Sequence, residues 1–199
     1  MARPQKYTLD ELLDAAAAAV LEHGLEATLS QVSARIGVPT GSIYHRFASR
    51  EHLMIALWLR SIRRFHEGFL AAALEPDART AVRDCAVHIP RFCREHPADA
   101  RAMMLYRHAE LRTTAPPELR TEVEAVNERV WAALLELRLR RFGEGRVAER
   151  ETLVRAAVVQ GPYGLVRPHV GGVIPAELDD IVVAAAEGIL TLGDDPLDR

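Results

Sequence analysis

Helical periodicity is the sequence feature that most restricts the fold of this chain. In the first part of the chain, apolar residues recur at spacings of three and four, which places them along one face of a helix. Beyond residue 76, no stretch alternates between apolar and polar residues with a period of two, so no strand is predicted there. Proline and glycine divide this remainder into predicted helices over residues 77–95, 98–112, 117–141, 147–160 and 176–191. The sequence therefore predicts an all-α protein.

Two capping boxes mark where the first two helices begin. In each box a threonine precedes a Glu or Gln by three residues, so that side chains and backbone N–H groups can bond reciprocally; the pairs are Thr8 with Glu11 and Thr28 with Gln31. Tyr7 is placed to pack onto Leu12 as a hydrophobic staple. Gly24 and Gly37 are then expected to end these two helices.

A third, very short helix is predicted directly after Gly37 and a tight turn. Ile43 and Phe47, four residues apart, lie on its inward side. Ser49 can cap a fourth helix, which continues to Pro76 and is long enough to link this small unit to the rest of the chain.

Residues 37–47, with the sequence GVPTGSIYHRF, concentrate polar side chains between two helices. Three functions compete for such a segment: a phosphate-binding loop of an enzyme, an ordinary surface turn, and the reading head of a nucleic-acid-binding protein. The formal net charge of −3 argues against a uniformly basic protein, but residues 27–50 contain three arginines and no acidic residue. Arg3 and Lys6 could add positive charge towards the same partner.

Catalytic and metal-binding motifs are not found in this segment. A Walker loop has four residues between its glycines and a lysine after the second, whereas three residues separate Gly37 from Gly41 and Ser42 follows. Ser42 lies outside any G-x-S-x-G elbow, and no acid close in sequence could orient His45. The eight histidines include no H-x-x-x-H pair or Cys/His cluster. We therefore predict a protein that is not an enzyme and has no metal or cofactor.

A helix-turn-helix accounts for the segment better than a surface turn does. An ordinary surface turn requires neither Ile43 and Phe47 at helical spacing nor a window free of acids. Two short helices joined by a tight turn, in a nucleic-acid-binding motif, account for both features. In the third helix, the recognition helix, Tyr44 could reach a phosphate. His45 and Arg46 could donate to base edges or phosphates. The N-termini of the second and fourth helices would suit flanking phosphates. The segment thus predicts DNA binding.

The same part of the chain resembles the tetracycline-repressor (TetR) family of bacterial transcription regulators. The resemblance covers LLDAAAAAVLEHGLEATLSQVSARIGVPTGSIYHRFASREHLM, and it includes Gly24, Thr28, the Gly37-Val38 turn, Gly41, Tyr44, Phe47, Arg50 and Leu53. It implies phosphate contacts at Thr28, Tyr44 and Arg50. It also implies base or backbone contacts, which would be made by Ser30, Thr40, Gly41, Ser42, His45 and Arg46.

Two positions depart from the family pattern. Pro39 stands where a serine commonly caps the recognition helix, so Thr40 either takes over the cap or remains a DNA contact. Ser33 stands where alanine is common, and we expect its side chain to be buried and bonded to a backbone carbonyl.

The resemblance further implies two domains, in agreement with the set of about nine helices that the residue pattern predicts. Residues 1–49 would form the helix-turn-helix DNA-binding domain, and residues 50–199 an effector-binding and dimerisation bundle. Such a protein is a homodimeric repressor that a small-molecule effector, here of unknown identity, releases from a palindromic DNA operator. The last two helices, which contain VRAAVVQ and IVVAAAEGIL, are the predicted dimer interface; a purely internal role for them is the alternative.

Side chains suited to a ligand pocket occur in the middle helices. They are aromatic, sulfur-containing or polar-tipped, and the predicted set is Phe69, His88, Phe92, Met103, Tyr106, His108 and Trp131. Each could equally belong to the core. His88, Tyr106 and His108 are the sharper predictions, because a polar tip on an apolar helix needs a partner and a ligand could provide it.

Other functions remain open on the sequence alone. Cys85 and Cys93 lie eight residues apart in one predicted helix and cannot bridge each other there, so they are either buried reduced thiols or the thiols of a redox-sensing regulator. A further alternative is an all-helical small-molecule-binding protein or enzyme with a vestigial helix-turn-helix. The apolar runs are short or interrupted and the N-terminus lacks an apolar secretion segment, so we expect a cytoplasmic protein without membrane contact.

Overall fold

A computed structural model describes residues 7–194, so Arg3 and Lys6 lie outside the described residues. Over residues 7–194 the chain forms α-helices and no strand, which confirms the all-α prediction. The helices are α1 (Leu9–His23), α2 (Leu29–Ile36), α3 (Thr40–Tyr44), α4 (Arg50–Ala73), α5 (Ala78–Glu95), α6 (Pro97–Met103), α7 (His108–Thr114), α8 (Pro117–Ala125), α9 (Glu128–Phe142), α10 (Val147–Arg155), α11 (Gly161–Val166) and α12 (Leu178–Leu190). Within the described part of the chain, none of them is both long and apolar enough to cross a membrane.

The helices assemble into two compact units. The first unit contains the described residues up to Arg63 together with Pro97–Val126. The second unit contains Arg64–His96 together with the described residues from Asn127 onward. Helix α4 contributes to both units, and the functional boundary between residues 49 and 50 stays a prediction.

The core of the first unit carries the helix-turn-helix. Apolar side chains of α1, α2, α3 and α4 bury one another there, and they include Leu12, Ala16, Val20, Val32, Ile43, Leu53 and Leu57. Both predicted capping boxes are present, at Thr8 and at Thr28, and Ser49 Oγ accepts a hydrogen bond from the backbone N–H of His52 at the start of α4 (3.0 Å). The predicted starts of these three helices are confirmed.

A partly buried polar network joins α1, α4 and α6 within the first unit. Arg60 on α4 donates through Nη1 to Asp14 Oδ1 (2.7 Å) and to the carbonyl of Asp10 (3.3 Å), both on α1. The neighbouring Ser61 donates to Asp99 Oδ1 on α6 (2.6 Å). Because both Ser61 and Asp99 are buried, the network fixes the orientation of α1, which precedes the helix-turn-helix, against α4 and α6.

The core of the second unit is formed by α5, α9, α10 and α12 with the end of α4. Its buried members include Phe69, Val82, Cys85, Leu137, Val154, Val158, Val182 and Leu190. Arg150 of α10 is also buried, with 5% of its surface exposed. Its guanidinium donates to the carbonyls of Phe142 (Nη1, 3.0 Å), Glu144 (Nη1, 3.4 Å) and Gly193 (Nη2, 3.2 Å). The Arg150 guanidinium therefore connects α10 to the C-terminal end of α9 and to the turn that follows α12.

Two of the predicted helices are each divided in two. The helix predicted over residues 98–112 is interrupted after Met103, whose carbonyl accepts from Trp58 Nε1 (3.2 Å) while Tyr106 packs against the core. The helix predicted over residues 117–141 is interrupted between Ala125 and Glu128, where the chain passes from the first unit to the second. Both interruptions depend on tertiary contacts, so the helical periodicity of the sequence does not predict them.

The helix predicted over residues 147–160 continues instead of ending at Gly161-Pro162. Ala156–Gln160 form a π turn, and α11 follows it directly. Pro162 has no N–H, and its ring needs space in the preceding turn, which a wider π turn supplies. A Cβ on Gly161 would lie 2.9 Å from the carbonyl oxygen of Ala156, so glycine permits the continuation.

Candidate nucleic-acid interface

The turn between α2 and α3 has the geometry of a helix-turn-helix. Gly37 ends α2 with φ 65° and ψ 34°, a left-handed conformation that favours glycine, as predicted. Val38 is buried and donates its N–H to the carbonyl of Ser33 (3.1 Å). Helix α3 then packs inward through Ile43, and Phe47 lies in the same core. The remaining side chains of α3 lie on the side away from that core.

The residues predicted to contact DNA all lie on α2, α3 or the helix ends beside them. Thr28, Ser30, Gly41, Tyr44 and His45 are exposed, and Thr40, Ser42, Arg46 and Arg50 are half-buried. Tyr44 is an exposed large side chain of α3, with 55% of its surface accessible to solvent. The structure therefore brings the predicted set together on one part of the first unit, and their contacts with DNA stay a prediction.

The start of the recognition helix is organised without a side-chain cap. Pro39 occupies the cap position, and its carbonyl accepts from the N–H of Ser42 (2.8 Å). Thr40 does not replace the missing cap, because its hydroxyl lies 3.1 Å from that of Ser33. Ser33 in turn donates to the carbonyl of Ser30 (3.0 Å), so its predicted burial and carbonyl bond are confirmed. These bonds attach α3 to α2.

Arg50 supports the interface from within the first unit. Its Nε donates to the carbonyl of Ala27 (2.7 Å), and its Nη2 donates to the carbonyl of Leu25. Both carbonyls lie in the segment that leads into α2. Arg50 therefore holds the N-terminus of α2 in place, a role that the sequence pattern did not indicate.

The positive charge of this region is smaller than the sequence suggests. Arg35 forms an ion pair with Glu22 on α1, which lies outside the acid-free window of residues 27–50. The pairing was not predicted because the two residues are thirteen positions apart and belong to different helices. The other two cations of the window are Arg46, which follows α3, and Arg50, which begins α4.

The predicted ligand-binding residues divide between the two units. Met103, Tyr106 and His108 belong to the first unit, whereas Phe69, His88, Phe92 and Trp131 belong to the second. In the second unit, Phe69 is buried in the core with 1% of its surface exposed, and Trp131 is a surface residue whose ring lies under Arg155 (4.7 Å). His88 and Phe92 line an open groove between α4 and α5 with a volume of about 440 Å³.

The polar tips of the two histidines have partners inside the protein. His88 Nε2 donates to the carbonyl of Phe65 (2.9 Å), and His108 Nε2 donates to the carbonyl of Val123 (2.8 Å). The His108 ring also stacks on Trp58, with 6.3 Å between the ring centroids, and the His88 ring lies tilted against Phe65, with 4.9 Å between the centroids. Backbone carbonyls therefore supply the partner that these two tips need, and a ligand contact at either histidine stays a prediction.

The two cysteines have the properties of structural thiols. Burial raises the pKa of the Cys85 thiol to about 12 and that of Cys93 to about 11. Because the thiolate is the reactive species, thiols with such a raised pKa react slowly with oxidants near neutral pH. Among residues 7–194, no cluster of three or more His, Cys, Asp or Glu side chains could hold a metal ion.

Acid is expected to destabilise the second unit through His66 on α4. Burial, and then the positive charges of Arg129 and His88, lower the pKa of His66 from 6.5 to about 4. Below pH 6.5, His66 of the unfolded chain binds a proton, whereas His66 of the folded chain stays neutral until the pH approaches 4. The contribution of neutral His66 to the free energy of unfolding is therefore fully present above pH 6.5 and decreases as the pH falls towards 4. Part of the ring keeps its hydration, which limits the expected loss to about 2 kcal/mol.

The measurement is urea unfolding at several pH values for the wild type and for His66→Gln. The variant should show a smaller loss of unfolding free energy over this pH range. An unchanged pH dependence in the variant would contradict the assignment to His66.

These features define a helix-turn-helix protein with a helical second part, and the comparisons agree. Residues 12–57 match the sequence model of "Bacterial regulatory proteins, tetR family". A search of curated protein sequences gave no match.

The fold is similar to that of solved transcriptional regulators over nearly the whole chain. A transcriptional regulator from Rhodococcus sp. RHA1 is 18% identical, with a TM-score of 0.74 over 96% of this chain and 100% of that one. The TetR family regulator PfmR from Thermus thermophilus is 21% identical, with a TM-score of 0.70 over 90% and 97%. FadR from Bacillus subtilis, solved in complex with stearoyl-CoA, is 17% identical, with a TM-score of 0.67 over 94% and 100%. Residues 12–57 thus match the tetR family model, and the fold of the chain is similar to that of these regulators.

Proposed function

We propose that this protein is a homodimeric transcription repressor that binds a palindromic operator and is released from it by a small-molecule effector. The observation that carries the proposal is the helix-turn-helix, which lies within the residues that match the family model. Tyr44 and His45 of this motif are exposed, while Ile43 and Phe47 are buried. Such a protein acts in the cytoplasm and needs no catalytic group.

Direct contacts to DNA would come from the exposed side of α2 and α3. The hydroxyl of Tyr44 and the guanidinium of Arg46 are suited to phosphates, and His45 is suited to a base edge. The first turn of α2 adds backbone N–H groups beside Thr28, whose own hydroxyl accepts from Gln31 N (3.3 Å). Arg50 supports this surface by holding the segment before α2.

Dimerisation would use the outward face of α12 together with α11. On α12, Ile181, Ala184 and Gly188 are exposed, and on α11 Tyr163 and Gly164 are exposed. The predicted interface therefore needs refinement, because several apolar residues of VRAAVVQ and IVVAAAEGIL are core residues: Val154, Ala157, Val158, Val182, Ala186 and Leu190 are buried. Two copies are expected because one short recognition helix contacts few base pairs.

The effector would bind the second unit. Its groove beside His88 and Phe92 has a volume of about 440 Å³ and is bordered by arginine and glutamate side chains. This volume lies within the usual range for small-molecule sites, and small-molecule control is typical of the family.

The test is selection of bound duplexes from a random-sequence library, followed by titration of the recovered duplex. We expect the double variant Tyr44→Phe, Arg46→Gln to weaken binding by about 1–3 kcal/mol and to reduce the salt dependence. His45→Ala should change the preferred sequence. A promoter that carries the recovered duplex should be silenced when the protein is present.

Arg112→Gln is the charge-matched control, because Arg112 is exposed on α7, outside α2 and α3. It should bind like the wild type. If the double variant and the control bind equally well, α3 is not the recognition helix.

A further inference from the structure

Tyr7 contacts the recognition helix in two ways, although it precedes α1 in the sequence. Its hydroxyl donates to the carbonyl of Ser42 (2.8 Å), and the guanidinium carbon of Arg46 lies 5.5 Å from the centre of its ring. The side chain is half-buried and packs against the core of the first unit. One side chain therefore joins the start of α1 to both the backbone of α3 and the arginine that follows it.

The recognition helix needs such support because it is short. Helix α3 has five residues, and a helix of this length is marginal unless tertiary contacts hold it. In a continuing α-helix the N–H of Arg46 would bond to the carbonyl of Ser42, but here it bonds to the carbonyl of Ile43 (2.9 Å). The Tyr7 hydroxyl thus binds a carbonyl at the end of α3, where helix carbonyls need a donor from elsewhere.

The Tyr7 ring also restricts the side chain of Arg46. A guanidinium over an aromatic ring is attracted by the electron-rich face of that ring. An arginine that is ordered before DNA arrives loses less rotamer freedom on binding. The contact therefore prepares Arg46 for the role that the proposed function gives it.

We propose that Tyr7 is a positioning residue for DNA binding, which acts through the Ser42 carbonyl and through Arg46. The inference rests on the proposed function, since it concerns the surface that would contact the operator. Its two parts are separable, because Tyr7→Phe removes only the hydroxyl bond, whereas Tyr7→Leu also removes the aromatic ring.

The experiment measures affinity for the duplex recovered by selection, with both variants in the wild-type and Arg46→Ala backgrounds. Tyr7→Phe should weaken binding about fivefold, as expected for one lost hydrogen bond, and should accelerate amide exchange over residues 42–47. Tyr7→Leu should weaken binding about threefold more than Tyr7→Phe in the wild-type background. In the Arg46→Ala background the two variants should bind equally well.

Thr113→Val is the control, because the hydroxyl of Thr113 on α7 also donates to a helix carbonyl, that of Glu110 (2.9 Å), outside α2 and α3. It should leave both affinity and exchange unchanged. Unchanged exchange in Tyr7→Phe, or a difference between the two Tyr7 variants that persists without Arg46, overturns the inference while the proposed function stands. If the wild type retains no duplex, the proposed function fails, and amide exchange still decides whether Tyr7 holds α3.

Discussion

Gly188→Arg is expected to produce a folded monomer that binds the operator at least about 100-fold more weakly than the wild type, because simultaneous binding of two heads is lost. A Cβ at Gly188 meets no atom within 4 Å, so a long side chain fits on a single protomer. On the proposed dimer face, beside Ile181 and Ala184, the same side chain would place an unpaired charge in an apolar contact. Light scattering gives the mass of the variant, and fluorescence anisotropy gives its affinity.

Asp180→Arg is the matched control for this prediction. Asp180 is exposed on the same helix but lies about 80° around the axis from Gly188. This control should remain dimeric and bind the operator. If Gly188→Arg stays a dimer with full affinity, the two copies associate through another surface.

Arg150→Met is expected to lower the free energy of unfolding by about 3 kcal/mol. This value is roughly the summed cost of leaving three carbonyls without their charged hydrogen-bond donor. Methionine preserves much of the aliphatic packing, so the change isolates the guanidinium. The carbonyls of Phe142, Glu144 and Gly193 would lose the donors that now hold the ends of three segments together. Urea unfolding, followed by circular dichroism, measures the loss.

Arg63→Met is the control for the loss of an arginine. The side chain of Arg63 is 53% exposed and pairs with Glu122 at the surface, where an ion pair contributes less than about 1 kcal/mol. Equal losses in the two variants would show that the carbonyl bonds of Arg150 contribute little.

Local signals explain why the helix-turn-helix could be predicted from the sequence. The capping boxes at Thr8 and Thr28 and the left-handed Gly37 depend on residues at most a few positions apart, and all three are confirmed. The burial of Ile43 follows from helical spacing in the same way. Where neighbouring residues determine the conformation, the pattern is sufficient.

Contacts between distant segments account for what could not be predicted. His88 is satisfied by a carbonyl 23 positions away, Arg35 is paired with a glutamate 13 positions away, and Tyr7 reaches across 35 positions to Ser42. Each partner is a backbone carbonyl or an ordinary surface charge, so composition and spacing carry no signal for it. The predicted ligand set divides between the two units for the same reason, because residue type does not indicate which core a side chain joins.

The π turn at Ala156–Gln160 has an evolutionary consequence. A π turn holds one residue more than an α turn, so deleting one residue there would restore α-helical hydrogen bonding while the segments on either side keep nearly the same orientation about the axis. Val154 would keep its place in the core, and Tyr163 would stay on the outward face. The loss of a single codon at this turn would thus leave the surface that the helix offers to another copy nearly unchanged, whereas the same loss in a regular turn of α10 would rotate that surface by roughly 100°.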